Sequence, residues 1–176
     1  YHRMPSLRDY RDRIKSVKST RKITSAMKMV AASKLRKAQE QAEAAQPYAQ
    51  AMAAVLARVA ANVEAGPNSS KLLSGTGQDQ KHLLVVMTAD RGLCGGFNTN
   101  LFRAAREKTF ELVREGKDVK ILCIGRKGED LVKREIESHL NHAFRGFTGK
   151  NAIEYADAFK ATEYILEQFD AGAFDV

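Results

Sequence analysis

Leu7-Arg8-Asp9-Tyr10-Arg11-Asp12-Arg13-Ile14-Lys15-Ser16-Val17 opens the stretch that decides the fold. Counted in sevens, one row runs Leu7, Ile14, Arg21, Lys28, Leu35, Ala42, Ala49, Leu56, Val63. The row three residues on runs Tyr10, Val17, Thr24, Ala31, Ala38, Ala45, Met52, Val59. Most of these positions are apolar over about eight heptads, which is the pattern of a coiled-coil seam. Ser6, preceded by Pro5, suits the N-cap. No glycine interrupts before Gly66. The spacing therefore predicts one helix from Ser6 to about Val63, roughly 85 Å long at 1.5 Å rise per residue.

The seam has two irregularities. Arg21, Thr24 and Lys28 turn the regular positions polar, while Ile23, Met27 and Val30 offer an apolar stripe displaced around the helix, as at a stutter. Farther on the seam becomes Ala31, Ala38, Ala42, Ala45 and Ala49, small residues that admit a close partner helix. Pro47 removes a backbone donor, so a bend is expected near Gln46-Pro47-Tyr48, with a full break left open.

Residues 64–80, rich in Gly, Ser, Pro and Asn, read as a linker between a helical part at 1–63 and an α/β domain at 81–176. His82-Leu83-Leu84-Val85-Val86-Met87 suits a parallel strand buried on both faces. A Gly-rich loop follows from Thr88 to Asn98, then a helix from about Asn100 to Glu115. Val119–Ile124 reads as a second strand and Arg126 to about Ser138 as a second helix. A weak strand is expected near His139–Arg145. A third helix, from about Ala152 to Ala171, is expected to bury Ala156, Phe159, Leu166 and Phe169. This alternation predicts an α/β fold with an incomplete Rossmann-like, doubly wound sheet after the long helix. Another strand could begin at Phe174-Asp175-Val176.

The net charge is +8, and its location is informative. Residues 1–40 carry 12 Lys/Arg against 3 Asp/Glu, and the remainder is almost neutral. Such a segment implies an acidic partner: nucleic acid, an anionic membrane surface or acidic protein loops. No apolar run is long enough to span a membrane, and no signal peptide is visible. Cys94 and Cys123 match no zinc or redox spacing and read as free, partly apolar thiols of a reducing compartment. The pair His139 and His142 lacks the glutamate of a zinc-protease helix and reads as surface.

Gly92, Gly95 and Gly96 stand between a strand and a helix, where phosphate can be cradled. Their G-x-x-G-G spacing is neither a dinucleotide fingerprint nor a P-loop, and Ile124-Gly125-Arg126 supplies no ribose-binding acid. A tight structural turn is the favoured reading.

The long seam finds no counterpart within the chain, since the other helices are short. Its partner must be another copy, another chain or sequence not present here.

Two stretches carry a family resemblance. Lys22-Ile23-Thr24-Ser25-Ala26-Met27-Lys28-Met29-Val30-Ala31-Ala32-Ser33-Lys34-Leu35-Arg36-Lys37-Ala38-Gln39 is the first, and Thr88-Ala89-Asp90-Arg91-Gly92-Leu93-Cys94-Gly95-Gly96-Phe97-Asn98 the second. Their order and separation, with Pro47-Tyr48-Ala49 between them, resemble the gamma subunit of the rotary F-type ATP synthase. The resemblance starts near Met4, with Tyr1-His2-Arg3 reading as an appended stretch. It departs from the family in lacking the second long helix at the C-terminus. It implies a non-catalytic rotor subunit of the central stalk that couples ion-driven rotation to ATP synthesis. Implied partners are the alpha and beta subunits of the catalytic head, the epsilon subunit, the ion-carrying c-ring of the membrane and the chain's own missing C-terminal helix. Lys22, Met27, Lys28, Lys34 and Arg36 would face acidic loops of the beta subunits. Arg91, Gly92, Cys94, Gly95 and Gly96 form the family's signature loop. No cofactor, metal, catalytic residue or nucleic acid is implied. The implied location is the cytoplasmic side of a cell inner membrane, peripheral, and bacterial in preference to organellar. Two rival readings differ in class. A basic coiled-coil nucleic-acid binder is opposed by the apolar seam running through the basic segment. A Rossmann-type enzyme with a helical arm is opposed by the missing cofactor fingerprint.

Overall fold

The computed structural model describes residues 6–63, 66, 69–147 and 153–176. Met4, Ala152 and four linker positions (64, 65, 67, 68) lie outside them, so the expectations placed there go no further. The chain falls into two compact units, the first ending at Leu56 and the second beginning at Ala57.

Helix α1 runs from Leu7 to Ala61, 55 residues. Its start is a reciprocal cap: the Asp9 N–H donates to Ser6 Oγ at 3.3 Å, and the Ser6 N–H donates to Asp9 Oδ2 at 2.7 Å. This satisfies two of the orphan donors of a helix start. The bond from Ser6 also holds the Asp9 carboxyl below its ordinary range. Pro47 lies within the helix without ending it. The break left open from the sequence is absent, since a missing N–H costs one hydrogen bond that the flanking turns outlast. At the polar part of the seam, the Thr20 and Thr24 hydroxyls donate to the carbonyls of Ser16 and Thr20 at 3.1 and 2.8 Å. These bonds occupy hydroxyls within the helix itself. No residue of α1 is buried.

The second unit is built on a three-stranded parallel sheet in the order β1 (Lys81–Met87), β2 (Asp118–Ile124), β3 (Leu140–Phe144). A single helical turn, α2 (Lys71–Ser74), interrupts the stretch read as linker. Helix α3 (Phe97–Arg114) crosses from β1 to β2, α4 (Arg126–Glu135) from β2 towards β3, and α5 (Tyr155–Asp170) follows β3. The weak third strand is therefore present.

β2 is the buried centre, with Val119, Ile121, Leu122 and Cys123 almost wholly shielded from solvent. One face packs Leu84, Val86, Ile121 and Cys123 against Phe102, Ala105, Val132 and Ile136 of α3, α4 and the turn after it. Burial of each large apolar side chain stabilises by about 1.5–3 kcal/mol. The Cys123 thiol is pushed up to about 12 by desolvation first and by the Glu129 charge second. The β2–β3 register slips between Ile121 and Leu122, which pair with Leu140 and His142. Asn141 is the extra residue, and it bonds the Tyr164 hydroxyl of α5 at 2.9 Å. The bulge restarts the alternation, so Leu140 and Ala143 both reach the core. His142 instead stacks on Tyr164, with 4.6 Å between ring centroids.

Two expectations fail on the other face. β1 is not buried on both sides: Val85 and Met87 are exposed. They border a cavity of about 480 Å³ shared with Ile124 and with Ala158, Ala161 and Ile165 of α5. Helix α5 buries Ala161 and half-buries Tyr164, Ile165 and Gln168, whereas Ala156, Phe159 and Leu166 are exposed and Phe169 is only half-buried. The helix carries two apolar stripes, and only the smaller one meets the sheet. On its outer edge β1 takes parallel-type ladder bonds from the last residue: the Val176 N–H donates to Lys81 O at 3.1 Å and the Leu83 N–H to Val176 O at 2.8 Å.

Candidate interaction surfaces

Every large apolar residue of the α1 seam is solvent-exposed, from Leu7, Tyr10, Ile14 and Val17 through Ile23, Met27, Val30 and Leu35 to Met52, Leu56 and Val59. Lys22, Met27, Lys28, Lys34 and Arg36 all lie on this helix. At about 100° of rotation per residue they do not share one face. Met27 and Lys34 stand on one side, Lys22 and Arg36 on another, and Lys28 on a third. Arg36 is tied to Glu40 at 2.9 Å, and both side chains are mostly exposed. The stripe that helical geometry does assemble is Arg11, Lys15, Lys18 and Lys22, lining a shallow groove beside Ile14. Its 4-3-4 spacing is legible in the sequence, whereas a count of charges over residues 1–40 does not reveal it.

The glycine loop is fastened on two sides. Buried Asn98, in the first turn of α3, accepts from the Ala89 N–H at 2.9 Å and donates to Arg91 O at 3.3 Å and Cys94 Sγ at 3.1 Å. On the other side the first N–H groups of α4 are taken by the chain itself. The Arg126 N–H donates to Asp90 Oδ1 at 2.9 Å, the Lys127 N–H to Ala89 O at 3.1 Å and the Gly128 N–H to Thr88 Oγ1 at 2.8 Å. A helix start binds phosphate through such donors. Those of α4 already hold the chain's own oxygens, which argues against nucleotide there. Gly125, at φ 109°, permits the approach, because a Cβ there would lie 2.1 Å from Thr88 O. Arg91, Gly92, Cys94, Gly95 and Gly96 are all exposed on the resulting loop. Neither Asn98 nor Thr88 carries a sequence signal for these bonds, since the burial of a single polar side chain is not marked by spacing.

Glu129 is the buried charge of this unit, 3% exposed. Arg145 grips it bidentately at 2.6 and 2.7 Å, and Lys133 approaches at 2.8 Å. The Arg145 hydrogen bond above all brings its pKa down to about 2. The i,i+4 spacing of Glu129 and Lys133 is local, but the grip of Arg145 has no sequence signal, because the two residues lie 16 apart. Among the described residues no cluster of His, Cys, Asp and Glu could hold a metal ion. No described helix is long and apolar enough to cross a membrane.

These features define a long helix with an uncovered apolar seam and a small α/β unit that offers contact surfaces. The family model described as ATP synthase matches residues 6–176. The chain belongs to the ATP synthase family. It is 54% identical to the ATP synthase gamma chain of Ruegeria pomeroyi over 174 residues, which are 98% of this chain and 59% of the relative. It is 54% identical to the gamma chain of Granulibacter bethesdensis, covering 98% and 58%. The resemblance to gamma subunits is thus borne out. The chain spans about three-fifths of the length of these curated relatives. The rotor of the Euglena gracilis mitochondrial ATP synthase is similar in fold, with a TM-score of 0.53 at 20% identity over 93% of this chain and 52% of that one.

Proposed function

We propose that this chain is the N-terminal part of the central-stalk rotor subunit of an F-type ATP synthase, coupling ion-driven rotation of a membrane ring to ATP synthesis in the catalytic head. The carrying observation is α1 itself: 55 residues, none buried, with its apolar seam open throughout. A helix gains most of its stability by packing such a face. In this family reading the occupant of the seam is a C-terminal helix of the same subunit, and the pair forms the shaft. The subunit is non-catalytic, and its acidic partners are loops of the beta subunits within the alpha/beta head. Lys22, Met27, Lys28, Lys34 and Arg36 are proposed to meet those loops in turn as the shaft rotates, which suits their placement around the helix. The α/β unit is proposed to sit at the foot with the epsilon subunit and the c-ring, peripheral to the inner membrane of a bacterium on its cytoplasmic side.

In domain terms, the proposed division is a coiled-coil shaft part at 1–63, a linker at 64–80 and a Rossmann-like domain at 81–176. Supporting the last is the parallel order β3-β2-β1 with Val176 on the far edge of β1, the order in which a doubly wound sheet passes its switch point. The test is co-purification. An affinity-tagged full-length version, expressed with its complex, should bring down alpha, beta and epsilon subunits in fixed stoichiometry. Recovery of the tagged protein without them refutes the rotor reading.

A further inference from the structure

The carboxyl ends of β1 and β2 lie side by side, with Met87 paired to Ile124. The chain moves from β1 through β2 to β3, and Val176 then bonds β1 on the edge away from β2. The order therefore reverses at β1. In open α/β sheets the crevice beyond the strand ends at such a reversal is where ligands bind. On the α5 face that crevice is the cavity of about 480 Å³. Its volume arises because α5 presents Ala158 and Ala161 to it, side chains too small to fill the space. Met87, Phe97 and Ile153 border it and stay more than half exposed. Small-molecule sites span about 300–1,000 Å³, and a dry apolar cavity of about 150 Å³ already takes benzene. None of the described residues bordering the cavity is charged. Its two hydroxyls are engaged by the chain: Thr88 Oγ1 accepts from the Gly128 N–H at 2.8 Å, and Thr162 Oγ1 donates to Ala158 O at 3.0 Å. The Ala89 N–H donates to Asn98, and the Ala89 carbonyl accepts from the Lys127 N–H. A charged or hydrogen-bonding ligand would give up its water here without compensation, whereas a neutral apolar one gains by leaving water. Phe97 and Phe147 add ring surface and Met87 a thioether, which favour an aromatic occupant over an aliphatic chain. We propose that this cavity is a binding site for a neutral, fused-ring aromatic molecule of about two or three rings. The site lies within the second unit alone and does not rest on the rotor reading.

The experiment uses the full-length protein with the subunits that co-purify with it, and 1-azidonaphthalene as a neutral photoprobe. Labelled positions are mapped by mass spectrometry. Labelling should concentrate on β1 near Met87 and on α5 near Ile165, saturate as the probe is raised, and fall at least tenfold with excess naphthalene. Ala161→Leu fills the cavity and should cut that labelling at least tenfold. Ala158→Leu changes an exposed position of α5, so it should fold as the wild type while cutting the labelling to a similar extent. Ala156→Leu, exposed on the same helix but not bordering the cavity, should leave it unchanged. Labelling that rises without saturation, or that persists in Ala158→Leu, overturns the proposal. Absence of labelling at these positions also overturns it, and would mean that another part of the protein closes the cavity. Competition by 1-decanol as strong as that by naphthalene overturns the aromatic assignment in favour of an acyl chain.

Discussion

Arg145 holds Glu129 through both carboxylate oxygens, Nε to Oε2 at 2.6 Å and Nη2 to Oε1 at 2.7 Å, joining the end of β3 to the first turns of α4. The carboxylate is buried while Arg145 and Lys133 are about half exposed. The folded pKa of about 2 lies below the ordinary 4.5, so the unfolded chain binds the proton more readily. Stability from this group is therefore complete above about pH 5 and is lost as pH falls towards 2. Discounted for the solvated partners, the contribution is about 2 kcal/mol. Glu129→Gln should lower unfolding stability by about that amount at pH 7. It should also flatten the acid limb between pH 5 and 2. Urea unfolding of both proteins across that range checks it, and parallel acid limbs would contradict the assignment.

Gly125→Ala places a Cβ against Thr88 O in a backbone region that side chains rarely adopt. β1 and β2 are already fixed by their ladder, so neither strand can yield cheaply. We expect a loss of more than about 3 kcal/mol or failure to fold. Gly146→Ala is the control. It shares the positive φ but has open space around it, and should cost about 1 kcal/mol. Equal effects from the two substitutions would show that contact with Thr88 is immaterial.

Helix α1 should be labile when the chain is alone at low concentration. Its seam is exposed from Leu7 to Val59, and the helix buries nothing. Amide hydrogens of residues 10–61 should exchange much faster than those of β2, with protection appearing on self-association or on adding a complementary helix. Slow exchange along the whole of α1 in a dilute monomer is the contrary result.

Lys22→Glu, Lys28→Glu and Lys34→Glu combined should leave folding unchanged within about 0.5 kcal/mol, because exposed charges contribute little. In the assembled complex the same triple variant should retain ATP hydrolysis but pump fewer ions per ATP. The defect should depend on ionic strength. Hydrolysis and pumping measured together in vesicles decide the point: unchanged coupling at every salt concentration would mean that these lysines are merely solvated.

Some of this was determined by the sequence alone. Ser6 at the N-cap, a heptad row apolar at most positions and the absence of glycine before Gly66 are local signals, and they mark where α1 lies. The apolar runs at Leu83–Met87 and Val119–Ile124 marked β1 and β2 for the same reason: each run is a local signal. Only the tertiary structure could decide what those elements touch. The register slip at Asn141, the choice of Ala161 and Ile165 over Phe159 and Leu166, and the hold of Arg145 on Glu129 depend on partners distant along the chain. Burial is a property of the assembled packing, and a side chain's periodicity states only which neighbours it shares a face with.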